Sequence, residues 1–490
     1  MRTTPMSHQT AALARMEGRE AFGLFMEQGT GKTWCLLADA ERLHSEGKID
    51  ALLVIAPNGV HTNWIRREIP QHLGAPCIAR SWKTGAGKRW VEWMDDVMTP
   101  RLNQPGCPLR IFAINIDALI TKAGLAFVEQ FVLRFRTMLV VDESSRIKNP
   151  AAARTKAVMK LRPYVRYARI ATGTPVTNAP VDVFSQMEFL QRGLLGTTSH
   201  RAFVAEYAEL MPANHPMLQR MIQRNPRIVH AQIIARDENG HPKWRNLAKL
   251  QRLLEPHTFR VTKEECLDLP PKIYMRHYFA MAPAQAKAYE LMQEECRMEV
   301  GEELIPVQAL SAGVKLQQIT SGFVLHEGAP HYVVDANPRL AALKDLIEDL
   351  DGPFIVWARF REEIRAIAEM LKANGIPAVA YFGDINAADR EAAIDNFQSG
   401  KARAFIGQQQ AAGMGLTLTS AETAIYYSND FNLEHRLQSE DRCHRKGTRH
   451  SVVYIDLIAE GSIDETIATA LQSKSNMASA IVGDLKHVQP

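Results

Sequence analysis

The stretch EQGTGKTW combines glycines with a lysine and a threonine in a pattern that suits phosphate binding. Gly29 and Gly31 would let backbone N–H groups turn toward phosphate oxygens. Lys32 can reach the β and γ phosphates of a nucleoside triphosphate, and Thr33 can be a ligand of Mg²⁺. Met26 replaces the first glycine of the strict G-x-x-x-x-G-K-[ST] pattern. For this motif alone, a Gly-rich turn with an incidental lysine is therefore the alternative.

Two carboxylates end the apolar run TMLVVDESS and could complete the same chemistry. Asp142 is predicted to hold Mg²⁺ through its water shell, and Glu143 to orient and polarise the water that attacks the terminal phosphate. A pair of surface carboxylates at a strand end is the alternative interpretation. The two motifs together favour a site for ATP with Mg²⁺.

These motifs need strands that place them, and the chain alternates short apolar runs with helical stretches in two series. Such alternation is typical of parallel sheets covered by helices. Between the series the pattern becomes mainly helical. The predicted division is a first lobe over 1–190, a helical protrusion over 191–255, a linker with the start of the second lobe and a helical insert over 256–335, and a second lobe over 336–490.

Composition is that of an ordinary folded protein, with 490 residues, 46% hydrophobic and 23% charged. The net charge of +4 indicates a nucleic-acid partner only if it is clustered. The six cysteines show no CxxC and no Cys/His pair at zinc spacing, which favours a reducing compartment. No apolar run approaches the roughly 20 residues that span a bilayer. We therefore expect a soluble intracellular protein without membrane contact.

Eight segments occur in the order typical of the Swi/Snf-type ATPases of helicase superfamily two, which the chain resembles over nearly its whole length. The segments are MSHQTAAL, MEQGTGKT, LLVIAPNGVHTNWIRRE, VVDESSRIKN, RIATGTPVTNAPVDVFSQMEFL, FIVWARFREEI, QQQAAGMGLTLTSAETAIYYSNDFN and QSEDRCHRKGT. The fifth, motif III of the family, is the most specific in the first lobe, and the tail Ile147, Lys148 and Asn149 of the fourth, motif II, marks this family among helicases. The resemblance implies an α/β fold of two RecA-like lobes with parallel sheets flanked by helices, and a helical insertion between the lobes.

The resemblance also extends the nucleotide site. Gln9 matches the family's adenine-reading glutamine, Thr30 lies in the phosphate loop, Gly415 lies in the tight loop of motif V, and Gln438 belongs to motif VI.

Motif VI supplies two arginines that the resemblance places near the γ-phosphate. Arg442 and Arg445 are expected to approach it from the second lobe as arginine fingers. They are three residues apart, so on a helix they would share a face. Two arginines on a solvated helix are the alternative interpretation of the pair alone.

Two serines depart from the family's usual motif II, in which Asp-Glu is followed by a small residue and His. Ser144 and Ser145 stand at those positions. In the family the fourth residue is thought to link the nucleotide site to motif III. A serine there is expected to shorten that hydrogen-bond route, which concerns coupling more than hydrolysis.

A basic stretch follows motif II. From residue 144 to residue 170 there are eight lysines and arginines and no acid. Such a stretch suits sequence-independent contacts with phosphates. For any single residue of it, a place on a solvated basic face is an equally favoured interpretation. Trp64 is interpreted as a packing residue rather than a base-stacking one. The predicted nucleic-acid contacts are Arg146, Lys148, Arg154, Lys156 and Thr174.

The sequence thus predicts a DNA-dependent ATPase that moves along double-stranded DNA. A strand-separating DNA or RNA helicase is one alternative. An ATP-gated DNA-binding scaffold with little turnover, suggested by the two serines, is another. No reader domain is recognisable, so a separate targeting protein is expected, and the compact architecture suits a bacterial or bacteriophage genome.

Overall fold

The computed structural model describes residues 1–83, 96–98, 107–224, 232–238, 242–300, 303–383, 385, 387–410, 416–445, 447–448 and 450–482. The chain forms two compact units. The first contains Met1–Cys266 and the segment that begins at Lys474, and the second contains Leu267–Ser473.

The elements of both units follow in chain order. The strands are Ala21–Met26 (β1), Ala51–Ala56 (β2), Cys77–Ser81 (β3), Leu109–Asn115 (β4), Thr137–Asp142 (β5), Tyr167–Ala171 (β6), Thr258–Val261 (β7), Lys272–Phe279 (β8), Arg297–Val300 (β9), Glu303–Pro306 (β10), Phe323–His326 (β11), Ala329–Tyr332 (β12), Phe354–Trp357 (β13), Ala378–Tyr381 (β14), Ala404–Gly407 (β15), Thr423–Tyr426 (β16) and Val452–Ala459 (β17). The α-helices are Ser7–Met16, Lys32–Ser45, Val60–Asn63, Ile69–His72, Lys122–Arg134, Ala153–Leu161, Val183–Leu190, His200–Tyr207, Pro216–Arg224, Leu247–Leu254, Lys263–Cys266, Pro283–Glu295, Ala309–Thr320, Pro338–Glu348, Arg361–Ala373, Ala387–Gln398, Leu433–Cys443 and Ile463–Val482. A π-helical turn over Trp64–Glu68 joins the third helix to the fourth.

In the part of the first unit that the structure describes, seven parallel strands form one sheet in the order β3-β4-β2-β5-β6-β1-β7. Strand β2 is apolar on both faces because helices cover both sides of a parallel sheet. Leu53 and Ile55 pack into one hydrophobic layer, and Leu52 and Val54 pack into the other. The residues that follow β1, β5 and β6 therefore all lie at the carboxyl edge of the sheet.

In the described part of the second unit, six parallel strands form a sheet in the order β14-β15-β13-β16-β17-β8. Two antiparallel pairs, β9 with β10 and β11 with β12, lie beside the helices of residues 283–320. The predicted helical insert therefore also contains hairpins. The predicted fold class, two parallel sheets flanked by helices, is confirmed.

Two predicted segments contain strands or bridges that the sequence did not indicate. Strand β7, expected in the linker, completes the first sheet by pairing with β1. The segment 191–255, expected to be mainly helical, also contains the antiparallel bridges Ala208↔Trp244, Leu210↔Ile234 and Arg236↔Pro242. Four-residue strands and isolated bridges are too short to give a periodic pattern, so helical spacing dominated the prediction.

The described residues include no helix that combines the length and the apolar character needed to cross a bilayer. They also include no group of three or more His, Cys, Asp or Glu that could hold a metal ion.

A buried ion pair ties the helix after the phosphate loop to β6. Arg169 donates to Asp39 Oδ2 at 2.9 Å, and both side chains are 0% exposed. The same guanidinium donates to the carbonyls of Arg19, Glu20 and Ala168. Arg169 is one of the eight residues of the predicted basic stretch, and the prediction that it offers surface charge is wrong because its charge is neutralised inside the unit.

Replacing Asp39 with asparagine is expected to lower the free energy of unfolding of the first unit by about 3–5 kcal/mol, because a buried charge is left without its partner. Urea denaturation measures this difference. Asp50→Asn is the matched control, since it removes one charge of a partly exposed pair with Arg136 and should cost less than about 1 kcal/mol. Equal decreases in the two variants would contradict the stabilising role assigned to the buried pair.

Candidate active site

The phosphate loop joins β1 to the helix Lys32–Ser45. Gly29 and Gly31 have φ values of 81° and 88°, which side-chain-bearing residues rarely adopt. A Cβ on Gly31 would lie 2.0 Å from Gln9 Nε2. Glycine is therefore required at position 31 both by the turn and by the close approach of Gln9.

Lys32 points into the loop from the first turn of its helix. Its Nζ donates to the carbonyls of Met26 at 3.0 Å and Glu27 at 3.2 Å. Thr33 follows it at the same helix N-terminus, which favours negative charge. The ammonium of Lys32 and the N-terminus of its helix thus both favour an anion at this loop.

Gln9 packs against the phosphate loop. Its Oε1 accepts from Met6 N at 2.8 Å, and its Nε2 donates to Thr30 O at 3.4 Å. His8 Nε2 lies 2.7 Å from the same carbonyl. The structure therefore brings the predicted adenine-binding residue next to the loop, 21 residues away in sequence.

Asp142 is buried at the end of β5. Its Oδ2 accepts from Trp64 Nε1 at 2.8 Å, and its Oδ1 accepts from Glu143 N at 3.1 Å. Burial raises the pKa of Asp142, while the Trp64 hydrogen bond and the positive charge of Lys32 oppose that rise. Trp64, interpreted as a packing residue, is buried as expected and also orients the predicted Mg²⁺ ligand. A buried indole N–H needs an acceptor, but sequence spacing does not reveal which one.

Glu143 adopts a left-handed backbone conformation with φ 52°. Its Oε2 accepts from Thr172 Oγ1 at 3.2 Å, and Thr172 Oγ1 accepts from Thr174 N at 3.1 Å. A non-glycine residue in this region is typical of functional sites held by their surroundings. The predicted catalytic carboxylate is thus connected directly to the loop of motif III.

The two serines of motif II lie in a 3₁₀ turn, Ser144–Ile147, and are buried. Ser144 Oγ donates to Gln186 Oε1 at 2.7 Å. Gln186 was not identified from the sequence, because within VFSQMEFL it looks like one polar position on a surface helix. A hydrogen-bond route from motif II therefore starts at Ser144, one residue before Ser145, the fourth position at which the resemblance predicts the link.

The predicted nucleic-acid contacts differ in accessibility. Lys156 is exposed on the helix Ala153–Leu161, while Arg146 and Arg154 are partly buried. Lys148 Nζ donates to Thr177 Oγ1 and lies 3.9 Å from Asp182.

Thr174 was also predicted to contact nucleic acid. It is buried, and its hydroxyl has no hydrogen-bond partner among the residues that the structure describes. In this conformation its side chain is inaccessible to a phosphate.

In the second unit, the motif VI side chains lie on and just after the helix Leu433–Cys443. Gln438 Nε2 donates to Glu434 Oε1 at 3.1 Å. The helix ends before Arg445, so the expectation that both arginines share a helix face is wrong. Arg442 and Arg445 nevertheless both donate to Leu416 O, at 3.3 and 3.4 Å. Gly415 lies outside the described residues.

A charged network anchors the same helix. Glu440 Oε2 accepts from Lys272 Nζ at 2.9 Å and from Tyr274 OH at 2.8 Å. Glu440 Oε1 accepts from Arg436 Nε at 2.8 Å. Burial alone would raise the pKa of Glu440, but the charges and hydrogen bonds of Lys272 and Arg436 outweigh it and lower the pKa to about 2.

Two family models match the chain. A model described as SNF2-related domain matches residues 8–322, and one described as helicase conserved C-terminal domain matches residues 338–447. Together these matches include the phosphate loop, Asp142, Glu143 and the two arginines of motif VI.

Similar curated proteins are longer than this chain. Human TATA-binding protein-associated factor 172 is 25% identical over 399 residues, which cover 70% of this chain and 20% of that protein. The putative ATP-dependent helicase/translocase YwqA of Bacillus subtilis is 24% identical over 474 residues, 93% of this chain and 46% of that protein. The mouse DNA annealing helicase and endonuclease ZRANB3 is 25% identical over 470 residues, 94% of this chain and 39% of that protein. The chain therefore spans less than half the length of each.

Among solved structures, the Sulfolobus solfataricus SWI2/SNF2 ATPase core in complex with double-stranded DNA is 22% identical. The match covers 99% of this chain and 96% of that chain, with a TM-score of 0.41.

The Glu440 network predicts acid sensitivity of the second unit. A carboxyl whose pKa is lowered on folding adds stability that is fully present above its unfolded-state pKa, near 4.5, and disappears as pH falls toward about 2. Glu440→Gln should therefore be less stable than the parent at neutral pH, and the difference should shrink between pH 4.5 and 2. Chemical denaturation at a series of pH values measures it.

Glu348→Gln is the control for this experiment, because Glu348 forms an exposed pair with Lys344. Its stability should follow the parent at every pH. A constant difference between the parent and Glu440→Gln across this pH range would contradict the assignment.

Proposed function

This chain belongs to the SNF2-related family, and we propose that it is a DNA-stimulated ATPase that moves along double-stranded DNA. The observation that carries the proposal is the meeting of Lys32 with Asp142 and Glu143 at one edge of the first sheet. Lys32 is close enough to Asp142 for its charge to act on the pKa of that carboxyl. A phosphate-binding cation and two carboxylates in this arrangement suit phosphoryl transfer.

The residues fit ATP with Mg²⁺. Lys32, which donates to the carbonyls of Met26 and Glu27, can instead donate to β- and γ-phosphate oxygens. Thr33 and Asp142 would hold Mg²⁺, which when bound neutralises charge on the phosphates. Trp64 would keep Asp142 oriented toward that position, and Gln9 would lie beside the adenine.

Glu143 is proposed to orient the attacking water. Its carboxylate is held by Thr172 and by the strained backbone at position 143, so little reorganisation is needed when water enters. Arg442 and Arg445 are proposed to supply positive charge to the transferring phosphoryl group. The role of Glu143 rests on the family's motif II together with the geometry of its side chain. The role of the two arginines rests on the family's motif VI.

DNA contact is proposed for the exposed side of the helix Ala153–Leu161. Lys156 and Lys160 are exposed and four residues apart, so they share one face. Arg154 flanks them on the same helix. Lysines that contact phosphates give affinity without sequence preference, as a moving motor requires. The name of ZRANB3, a DNA annealing helicase and endonuclease, supports DNA as the class of partner.

The two alternatives make different predictions for ATP hydrolysis measured with different nucleic acids. A strand-separating helicase should be stimulated by single-stranded DNA or RNA at least as well as by duplex DNA. A DNA-binding scaffold should show little turnover with any nucleic acid. Stimulation chiefly by double-stranded DNA favours the proposed translocase.

ATP hydrolysis measured with and without double-stranded DNA tests the proposal. We expect DNA to raise kcat, and Glu143→Gln to lower kcat by roughly 100-fold or more because the water no longer has its orienting carboxylate. Lys32→Ala should lower both nucleotide affinity and kcat. Glu20→Gln, which alters an exposed pair with Arg166 in the same unit, is the control and should behave like the parent. Hydrolysis that is independent of DNA and equal in all variants would overturn the proposal.

The contribution of the basic helix is tested by DNA affinity at several salt concentrations. Lys156→Ala with Lys160→Ala should weaken binding to all sequences alike and lower the salt slope by about 0.9 for each phosphate that the variant no longer neutralises. Arg166→Ala is the control, because this arginine of the same basic stretch is already paired with Glu20. An unchanged slope in the double variant would remove this helix from the DNA-binding surface.

A further inference from the structure

Gln186 is a buried polar residue that is not among the residues assigned to the nucleotide site. It lies in the helix Val183–Leu190 and is 0% exposed. Burying an amide is costly unless its donors and acceptor find partners. A glutamine at a position that packing alone could fill with an apolar residue therefore needs an explanation.

The side chain of Gln186 is fully engaged. Its Oε1 accepts from Ser144 Oγ at 2.7 Å. Its Nε2 donates to Pro175 O at 2.7 Å and to Asp182 O at 2.9 Å. The bond to Asp182, one helical turn earlier, fixes the direction of the amide. The other two bonds join the turn that contains Ser144 to the loop that contains Pro175.

Those two loops carry the catalytic carboxylate and its donor. Ser144 directly follows Glu143, and Pro175 lies three residues after Thr172. Thr172 Oγ1 donates to Glu143 Oε2 at 3.2 Å. The two loops are thus held together twice, once at the carboxylate and once through Gln186.

The Ser144 hydroxyl completes this closed arrangement. It is also 0% exposed and faces Gln186 rather than solvent. A short turn such as Ser144–Ile147, which begins at a strained Glu143, needs such an anchor to keep one geometry. A shift of about 1 Å in a positioned catalytic group can lower rates roughly 100-fold.

We propose that Gln186 is a positioning residue for hydrolysis, which holds the turn of Glu143 against the loop of Thr172 through Ser144 and Pro175. The proposal rests on the proposed ATPase function. It assigns to Ser144 and Gln186 the hydrogen-bond route between the carboxylate and the motif III loop. A change in that loop would thereby reach Glu143 without any new interaction with the nucleotide.

Three variants test the proposal in the full chain: Ser144→Ala, Gln186→Leu and the double variant. Each is compared with the parent for kcat with double-stranded DNA, KM for ATP, affinity for a fluorescent ATP analogue, and free energy of unfolding. Gln285→Leu is the matched control, because Gln285 is also 0% exposed and donates to two carbonyls, those of Ile319 and Thr320, in the second unit. It should be less stable and keep the parent's kcat per folded molecule.

Gln186→Leu is expected to lower the DNA-stimulated kcat by about tenfold or more, with KM for ATP and analogue affinity within about twofold of the parent. Ser144→Ala should change kcat in the same direction by a smaller factor. In the double variant the Ser144 hydroxyl is no longer left without its acceptor, so part of the stability lost in Gln186→Leu should return. The carbonyls of Pro175 and Asp182 still lack the donor that Gln186 supplied. The kcat of the double variant should stay low, because the link between the loops is still missing.

Several outcomes would overturn the proposal. An unchanged kcat in Gln186→Leu, or recovery of both stability and kcat in the double variant, would leave Gln186 a packing role only. If Gln186→Leu does not fold, an unchanged kcat in Ser144→Ala is decisive against the proposal. If the parent shows no DNA-stimulated hydrolysis, the proposed function itself is wrong. Assays of the parent and of Lys32→Ala are done first, so that this failure is distinguished from failure of the positioning proposal.

Discussion

The hydrogen bond from Thr172 Oγ1 to Glu143 Oε2, 3.2 Å long, is the interaction on which the candidate site depends. It exists because β5 and β6 are neighbours in a parallel sheet and end at the same edge. Residues that follow the two strands are therefore side by side although they lie 29 positions apart in sequence. The strained backbone of Glu143 costs of order 1–3 kcal/mol and persists because its surroundings hold it.

The same edge collects the remaining groups of the first unit. Strand β1 delivers the phosphate loop, and β5 delivers Asp142 beside it. Trp64, from the π-helical turn that follows β2, donates its indole N–H to Asp142 Oδ2. A carboxylate can remain in this buried place because a donor and a cation lie within reach of it. The sheet therefore positions chemistry that no single segment could assemble.

Much of this architecture could be predicted from sequence, since alternating apolar runs and the order of the motifs report parallel sheets and a phosphate loop. Short-range patterns carry that information. Contacts between distant residues do not follow from it: Trp64 with Asp142 and Gln186 with Ser144 depend on how the helices pack over the sheet edge. Arg169 shows the same limit, because a count of basic residues cannot distinguish an exposed arginine from one buried against Asp39. The β7 strand was missed because four residues give no measurable period.

In this account, Ser144 and Gln186 maintain a second link between the turn of Glu143 and the motif III loop, beside the direct bond from Thr172 to Glu143. Hydrolysis alone would not establish that the chain moves on DNA. The most direct measurement is displacement of a third strand from a DNA triplex, compared with strand release from a forked duplex. We predict that the parent with ATP displaces the third strand and leaves the fork paired, while Glu143→Gln displaces no strand from either substrate. Retention of the third strand despite DNA-stimulated hydrolysis, or efficient opening of the fork, would contradict a duplex translocase.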